Sequence, residues 1–173
     1  MEKAIVSTAK APAAIGPYSQ AVIGNGTLYV SGQLPIDPAT GAMPEDLKAQ
    51  VAQSMKNVLA LVEAAGGGSR NIVKCGLFIR DMEAFGEINE AYQSFFGEEA
   101  PARFVVEVSA LPKGAKVEID AIAADIKDLL AVLCKKAEEK YRRSGMNVRF
   151  ANALSRELKK WLKEQGIERK FYL

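Results

Sequence analysis

Between Pro101 and Ala123 the chain reads PARFVVEVSALPKGAKVEIDAIA, two apolar runs that carry a guanidinium at Arg103 and carboxylates at Glu118 and Asp120. A guanidinium is a planar fork that grips a carboxylate through two charge-assisted hydrogen bonds. In an extended strand Arg103, Val105 and Glu107 share one face, and Phe104, Val106 and Val108 share the other. Lys116, Glu118 and Asp120 likewise share a face. The two runs around LPKGA predict a closing hairpin that brings the arginine and the carboxylates within reach of each other. Such a cluster is either a structural ion pair or a site for a small carboxylate substrate.

Three further segments offer polar groups. IGPYSQ presents Tyr18 from a loop stiffened by Pro17, where a phenol donates a hydrogen bond or simply caps the core. VSGQLPIDP sets Ser31 and Gly32 after a strand, where bare amides and a hydroxyl meet an anion or make an ordinary turn. Asn89 lies in an amphipathic segment, as a pocket residue or a solvent-facing one. The chain has no histidine. This excludes Ser-His-Asp and Cys-His arrangements and every His-ligated metal site. Cys75 and Cys134 have neither metal nor redox spacing and read as reduced packing thiols of a cytoplasmic protein. Any catalysis falls to Arg, Lys, Glu, Asp, Tyr, Ser, backbone amides and water.

These residues need a frame. KAIVST predicts a strand and APAAIGPYSQ an irregular loop, and QAVIGNGTLYVSGQ reads as a hairpin around Gly24-Asn25-Gly26. A helix follows, with Leu47, Val51, Met55, Val58, Leu59 and Val62 at helical spacing and Gly66-Gly67-Gly68 as its stop. NIVKCGLFIRD is the next strand. A second helix puts Phe85, Ile88, Tyr92, Phe95 and Phe96 on its apolar side. The order β-β-β-α-β-α-β-β predicts an α+β sheet with both helices on one face.

The 173 residues carry a net charge of +2, but the charge is uneven. Residues 1–125 hold 10 Lys/Arg against 15 Asp/Glu, and residues 126–173 hold 13 against 6. The shift marks a domain boundary. Beyond it, Ile126, Leu129, Leu130, Leu133, Ala137 and Tyr141 form one apolar stripe, and Phe150, Ala151, Leu154, Leu158, Trp161 and Leu162 form another. Together they predict a helical hairpin over 125–173, an added element of natural or engineered origin. It docks on its own domain or drives self-association into a larger, cage-like assembly. Its basic run, from Lys135 to Lys163, is the one compositional argument for RNA. Most such runs are solvated helix faces, so a nucleic-acid partner is not expected. No apolar run approaches a membrane span, and no secretory leader is evident.

Five stretches, APAAIGPYSQA, YVSGQLPIDPATG, NVLALVEAAGG, INEAYQSFFG and PARFVVEVSALPKGAKVEIDAIA, together resemble the Rid family, the imine and enamine deaminases typified by RidA. The resemblance covers about residues 1–124. It implies a chorismate-mutase-like α+β fold, and a homotrimer with active sites in the clefts between subunits. It also implies hydrolysis of 2-aminoacrylate-type enamines, and their imine tautomers, to 2-keto acids and ammonia, with no metal or organic cofactor. Arg103 matches the arginine that grips the substrate carboxylate, and Tyr18 matches the pocket tyrosine. Ser31 and Gly32 match the polar turn, and Asn89 and Glu118 match pocket residues, with Glu118 associated with the reacting water. Asp120 stands where the family usually has a second glutamate. Val105 stands at a substrate-binding position where many members have cysteine, which puts thiol chemistry in doubt. Phe104 is bulkier than expected and narrows the pocket if it faces inward.

Overall fold

The short strand Lys3–Thr8 (β1) alternates exposed and buried side chains, with Ala4, Val6 and Thr8 turned inward. The structure, a computed structural model, describes residues 3–126 and the backbone of 167–172. Ala21–Gly24 (β2) and Thr27–Gln33 (β3) form the expected hairpin. Asn25 and Gly26 sit at φ 51° and 74°. Positive φ at both central residues is the twist-matched two-residue turn that Asn-Gly favours. Leu47–Ala64 (α1) starts on Asp46, whose carboxylate accepts from the Ala49 amide at 2.8 Å. Val51, Met55, Val58, Leu61 and Val62 on α1 are fully buried.

Ile72–Ile79 (β4), Phe85–Gln93 (α2) and Ala102–Glu107 (β5) make a strand–helix–strand unit in which β5 runs parallel to β4. Val117–Ala123 (β6) then pairs antiparallel with β4 on its other side and with β3. With Ile167–Tyr172 (β7), the sheet order is β5-β4-β6-β3-β2-β1-β7. Helix α1 packs against β1, β3 and β6, and α2 lies beside it. The core sits between these helices and one face of the sheet. The other face stays open, with Tyr29, Phe104 and Val106 substantially exposed.

Two expectations change. The hairpin across LPKGA does not form: β4 lies between β5 and β6. The crossover through α2 returns the chain parallel to β4. The link 108–116 then passes over the end of β4, held where Val108 donates to the Ile79 carbonyl (2.9 Å) and Arg80 donates to the Lys116 carbonyl (3.1 Å).

The two helices expected within 125–173 lie outside the described residues, and only the bounds of that segment change. Ile126 is buried in the domain core and its amide donates to the Gly26 carbonyl at 2.9 Å. Beyond Gly166, residues 167–172 form a strand paired with β1 from Lys3↔Tyr172 to Thr8↔Ile167. A sheet edge with free amides and carbonyls is a ready template for such a segment. Both helical stripes beyond Ile126, Cys134 and the basic run lie outside the described residues. Among the described residues, no helix is long and apolar enough to cross a membrane.

Candidate functional site

The first cluster forms where β3 breaks its register with β6. The pairing shifts between Val30 and Gln33. Gly32 in this bulge is a position of close approach: a Cβ there would run into the Glu118 carboxylate. A cleft of about 350 Å³ opens beside it, lined by Tyr18, Ser31, Gly32, Leu34, Pro112 and Glu118 among others. The loop over the cleft is tied down by Gln20, a buried side chain. Its carbonyl accepts from the Thr8 amide at 2.8 Å, and its amide donates to the carbonyls of Pro12 (2.7 Å) and Ala11 (3.1 Å). Ser31 joins this framework. Its hydroxyl donates to the Ser19 carbonyl at 2.7 Å and its amide to the Gln20 carbonyl at 3.0 Å. Both Ser31 donors are therefore spent on the loop, so the expected bare amide and hydroxyl are not available there. Tyr18 is 49% exposed and does not cap the core. Its hydroxyl meets only the Ile15 amide, at a long 3.5 Å.

Glu118 projects from β6 beside Asp120. Burial raises the Glu118 pKa above the ordinary carboxylate range, and the Asp120 carboxylate adds to the rise. Asp120 itself accepts from the Gly76 amide at 2.8 Å.

The second cluster lies on β5 under α2. The Arg103 guanidinium donates to the Asn89 side-chain carbonyl at 2.8 Å. Its central carbon lies 4.9 Å from the Tyr92 ring centre and 5.6 Å from that of Phe85. Asn89 is thus turned toward the arginine and is not merely a solvent-facing residue. Val105, two residues on, is half-buried and packs on the core. Cys75 of β4 sits opposite Arg103 in the parallel register and is fully buried. Burial pushes its thiol up to about 11, against weaker opposing effects of Tyr92 and Arg103. The buried Tyr92 hydroxyl adjoins this thiol and makes no other hydrogen bond among the described residues.

The sequence-derived candidates therefore divide. Tyr18, Ser31, Gly32 and Glu118 share one cleft; Arg103, Asn89 and Val105 share another cluster. Strand alternation explains the split. On β6, Val117, Ile119 and Ala121 face the core, so Glu118 and Asp120 face the open side. On β5, Arg103 and Val105 face α2, and Phe104 faces the open side. The ion pair between Arg103 and the carboxylates of β6 is thereby ruled out within one chain. Phe104 points away from the arginine and meets Phe78 edge-on, with centroids 5.6 Å apart. Among the described residues no group of His, Cys, Asp and Glu could hold a metal ion.

Sequence reasoning read Phe85 and Tyr92 only as core side chains. Their spacing carried a second signal. Phe85, Asn89 and Tyr92 fall at i, i+4 and i+7, one stripe of a helix, and an asparagine between two aromatics interrupts an otherwise apolar face.

A mixed sheet with two helices on one face, carrying a held guanidinium and a half-buried carboxylate, defines a two-layer α+β protein. Residues 8–125 match the family described as Endoribonuclease L-PSP, and the chain belongs to that family. Over 121 residues it is 50% identical to the 2-iminobutanoate/2-iminopropanoate deaminase of Salmonella typhimurium, covering 68% of this chain and 94% of that protein. A RutC family protein of Pyrococcus horikoshii is 45% identical, with 70% and 97% covered. The crystal structure of Escherichia coli TdcF with bound serine superposes with a TM-score of 0.67 at 45% identity, covering 69% of this chain and 97% of that one.

Proposed function

We propose that this chain hydrolyses 2-aminoacrylate-type enamines and their imine tautomers to 2-keto acids and ammonia, in sites that two copies of the chain complete together. One observation carries the reading. Arg103 presents a positioned guanidinium to which no carboxylate among the described residues is paired. A cation held in this way suits a ligand carboxylate. Relatives named as imine deaminases, and the serine bound by the TdcF relative, support the same ligand class.

The chemistry asks little of the protein. The enamine takes a proton on its terminal carbon and becomes an imine, whose carbon is electrophilic. Arg103 fixes the carboxylate and thereby the position of that carbon. Glu118 orients a water and accepts its proton as oxygen bonds to carbon. Glu118 passes that proton to the imine nitrogen to give the carbinolamine, then carries the hydroxyl proton to the same nitrogen as the C–N bond breaks, so that ammonia leaves and the C=O of the keto acid forms. Both tasks suit a carboxyl whose pKa is raised. Tyr18 closes the cleft from the loop side, and Asn89 and Val105 belong to the arginine's half. No step requires a metal or organic cofactor.

The two halves lie on opposite faces of one sheet, so a complete site needs the Arg103 half of one copy against the Glu118 half of another. The family resemblance supports a trimer. The exposed apolar residues Tyr29, Phe104 and Val106 on the open face fit burial between copies. An RNA-binding role finds less support, because residues 1–125 carry more acidic than basic side chains. The cage-like assembly and nucleic-acid readings otherwise rest on residues outside the described region.

The test is keto-acid and ammonia release from an enamine generated in situ. The full chain should accelerate it, and Arg103→Ala should not. Near wild-type turnover in Arg103→Ala would rule out the carboxylate grip.

A further inference from the structure

The geometry points to an aromatic clamp, Phe85 and Tyr92 of α2, as the device that sets the Arg103 guanidinium for its ligand. The inference rests on the reading of Arg103 as a carboxylate grip and goes one layer behind it. Three contacts hold the guanidinium, and all come from one stripe of one helix. Asn89 takes a single N–H at 2.8 Å. The Tyr92 ring lies 4.9 Å away and the Phe85 ring 5.6 Å away. An arginine has five N–H donors, and ring faces attract the cation without consuming any of them. The clamp therefore restrains the flat group while leaving its fork free for a carboxylate, which a clamp of acceptors could not do.

The two rings differ in anchorage. Tyr92 is 4% exposed and is braced by Phe96, with ring centres 4.9 Å apart. Phe85 is 38% exposed, at the first residue of α2. One ring is the floor, fixed by the core. The other is a rim that meets solvent, and it shields the cation there from competing water. The buried Tyr92 hydroxyl adjoins a thiol held neutral by burial and makes no other hydrogen bond among the described residues. The ring is the functional part of Tyr92, and both aromatics are positioning residues.

The experiment is titration of the full chain with 2-oxobutanoate, alongside kcat and KM on the in-situ enamine. Phe85→Leu, at a partly exposed position, should keep the fold. It should raise the Kd and KM about three- to ten-fold with kcat little changed. Phe85→Trp should restore binding, since indole offers the stronger cation platform. Tyr92→Leu should bind more weakly than wild type, and Tyr92→Phe, which keeps the ring, should bind clearly more tightly than Tyr92→Leu. If Arg103→Ala abolishes binding while Phe85→Leu and Tyr92→Leu keep wild-type affinity, the clamp is overturned and the carboxylate grip stands. If Tyr92→Phe is as weak as Tyr92→Leu, the hydroxyl is the working group and the clamp is again overturned. If the full chain does not bind 2-oxobutanoate, or Arg103→Ala binds it unchanged, the carboxylate reading fails and takes this inference with it.

Discussion

Tyr18, Ser31 and Glu118 reach their cleft beneath a loop tied by side-chain-to-backbone hydrogen bonds, whereas Arg103 is placed by packing against a single helix. The first arrangement depends on many weak ties and on one missing Cβ, at Gly32. The second depends on a stripe of three residues. In the proposed reaction the cleft half supplies the proton-carrying group and the helix half the binding charge. Strand alternation sends them to opposite faces, so under that proposal neither half is a site by itself.

The largest effect should come from the helix half. Arg103→Ala should lower turnover by about 100-fold or more, because the reacting carbon loses its anchor. Arg103→Lys should also be poor, since a point charge lacks the bidentate fork. Assaying Arg103→Ala mixed with Glu118→Gln then tests the division directly. Each variant alone should be nearly inactive. If the proposed trimer forms, a co-folded equal mixture should regain up to about a quarter of wild-type activity, the share of sites that draw both intact halves from different copies. No regain would place both residues of each site in one chain and contradict the split.

On the cleft side, Gly32→Ala forces a methyl group against the Glu118 carboxylate. Turnover should fall roughly ten-fold while 2-oxobutanoate binding falls less, because the damaged group moves protons and does not hold the ligand. Equal losses would assign the cleft a binding role.

A smaller effect follows from the Glu118 pKa. A carboxyl raised on folding binds its proton more tightly in the folded chain than in the unfolded one. Its contribution to stability is therefore most favourable at low pH and is lost as pH rises from the ordinary glutamate range through the folded value. Glu118→Gln should match the wild-type melting temperature below about pH 4 and exceed it at neutral pH. A wild-type chain that melts as high as Glu118→Gln at pH 7 would show that the carboxylate is not strained there. Least of all, Cys75→Ala should cost about 1 kcal/mol of stability through a small cavity and leave turnover within about two-fold. Inactivation by a thiol reagent under native conditions would contradict this.

The elements themselves were legible because each carried a local signature. KAIVST is a short run with β-branched residues, the Asn25-Gly26 turn announced its hairpin, and α1 repeated apolar residues with a glycine stop. Pairing order was not local. Nothing in PARFVVEV says that β4 will insert between it and VEIDAIA, so two adjacent apolar runs were read as a hairpin. That misreading placed Arg103 and Glu118 together within one chain. Once the strands were ordered, the two side chains fell on opposite faces of the sheet. The candidate residues were legible as positions to inspect, but their grouping depended on which face each strand presents.

The strand Ile167–Tyr172 has a consequence for solubility. Without it, β1 would end the sheet with a full row of unsatisfied amides and carbonyls, an invitation to a neighbouring molecule. With it, the boundary moves to a segment reading IERKFY, whose middle is Glu168, Arg169 and Lys170. Charged residues along an outermost strand discourage further ladder growth. The segment thus acts as a gatekeeper against amyloid-like stacking, and removing residues 167–172 should leave Arg103 and Glu118 in place while making the protein harder to keep in solution.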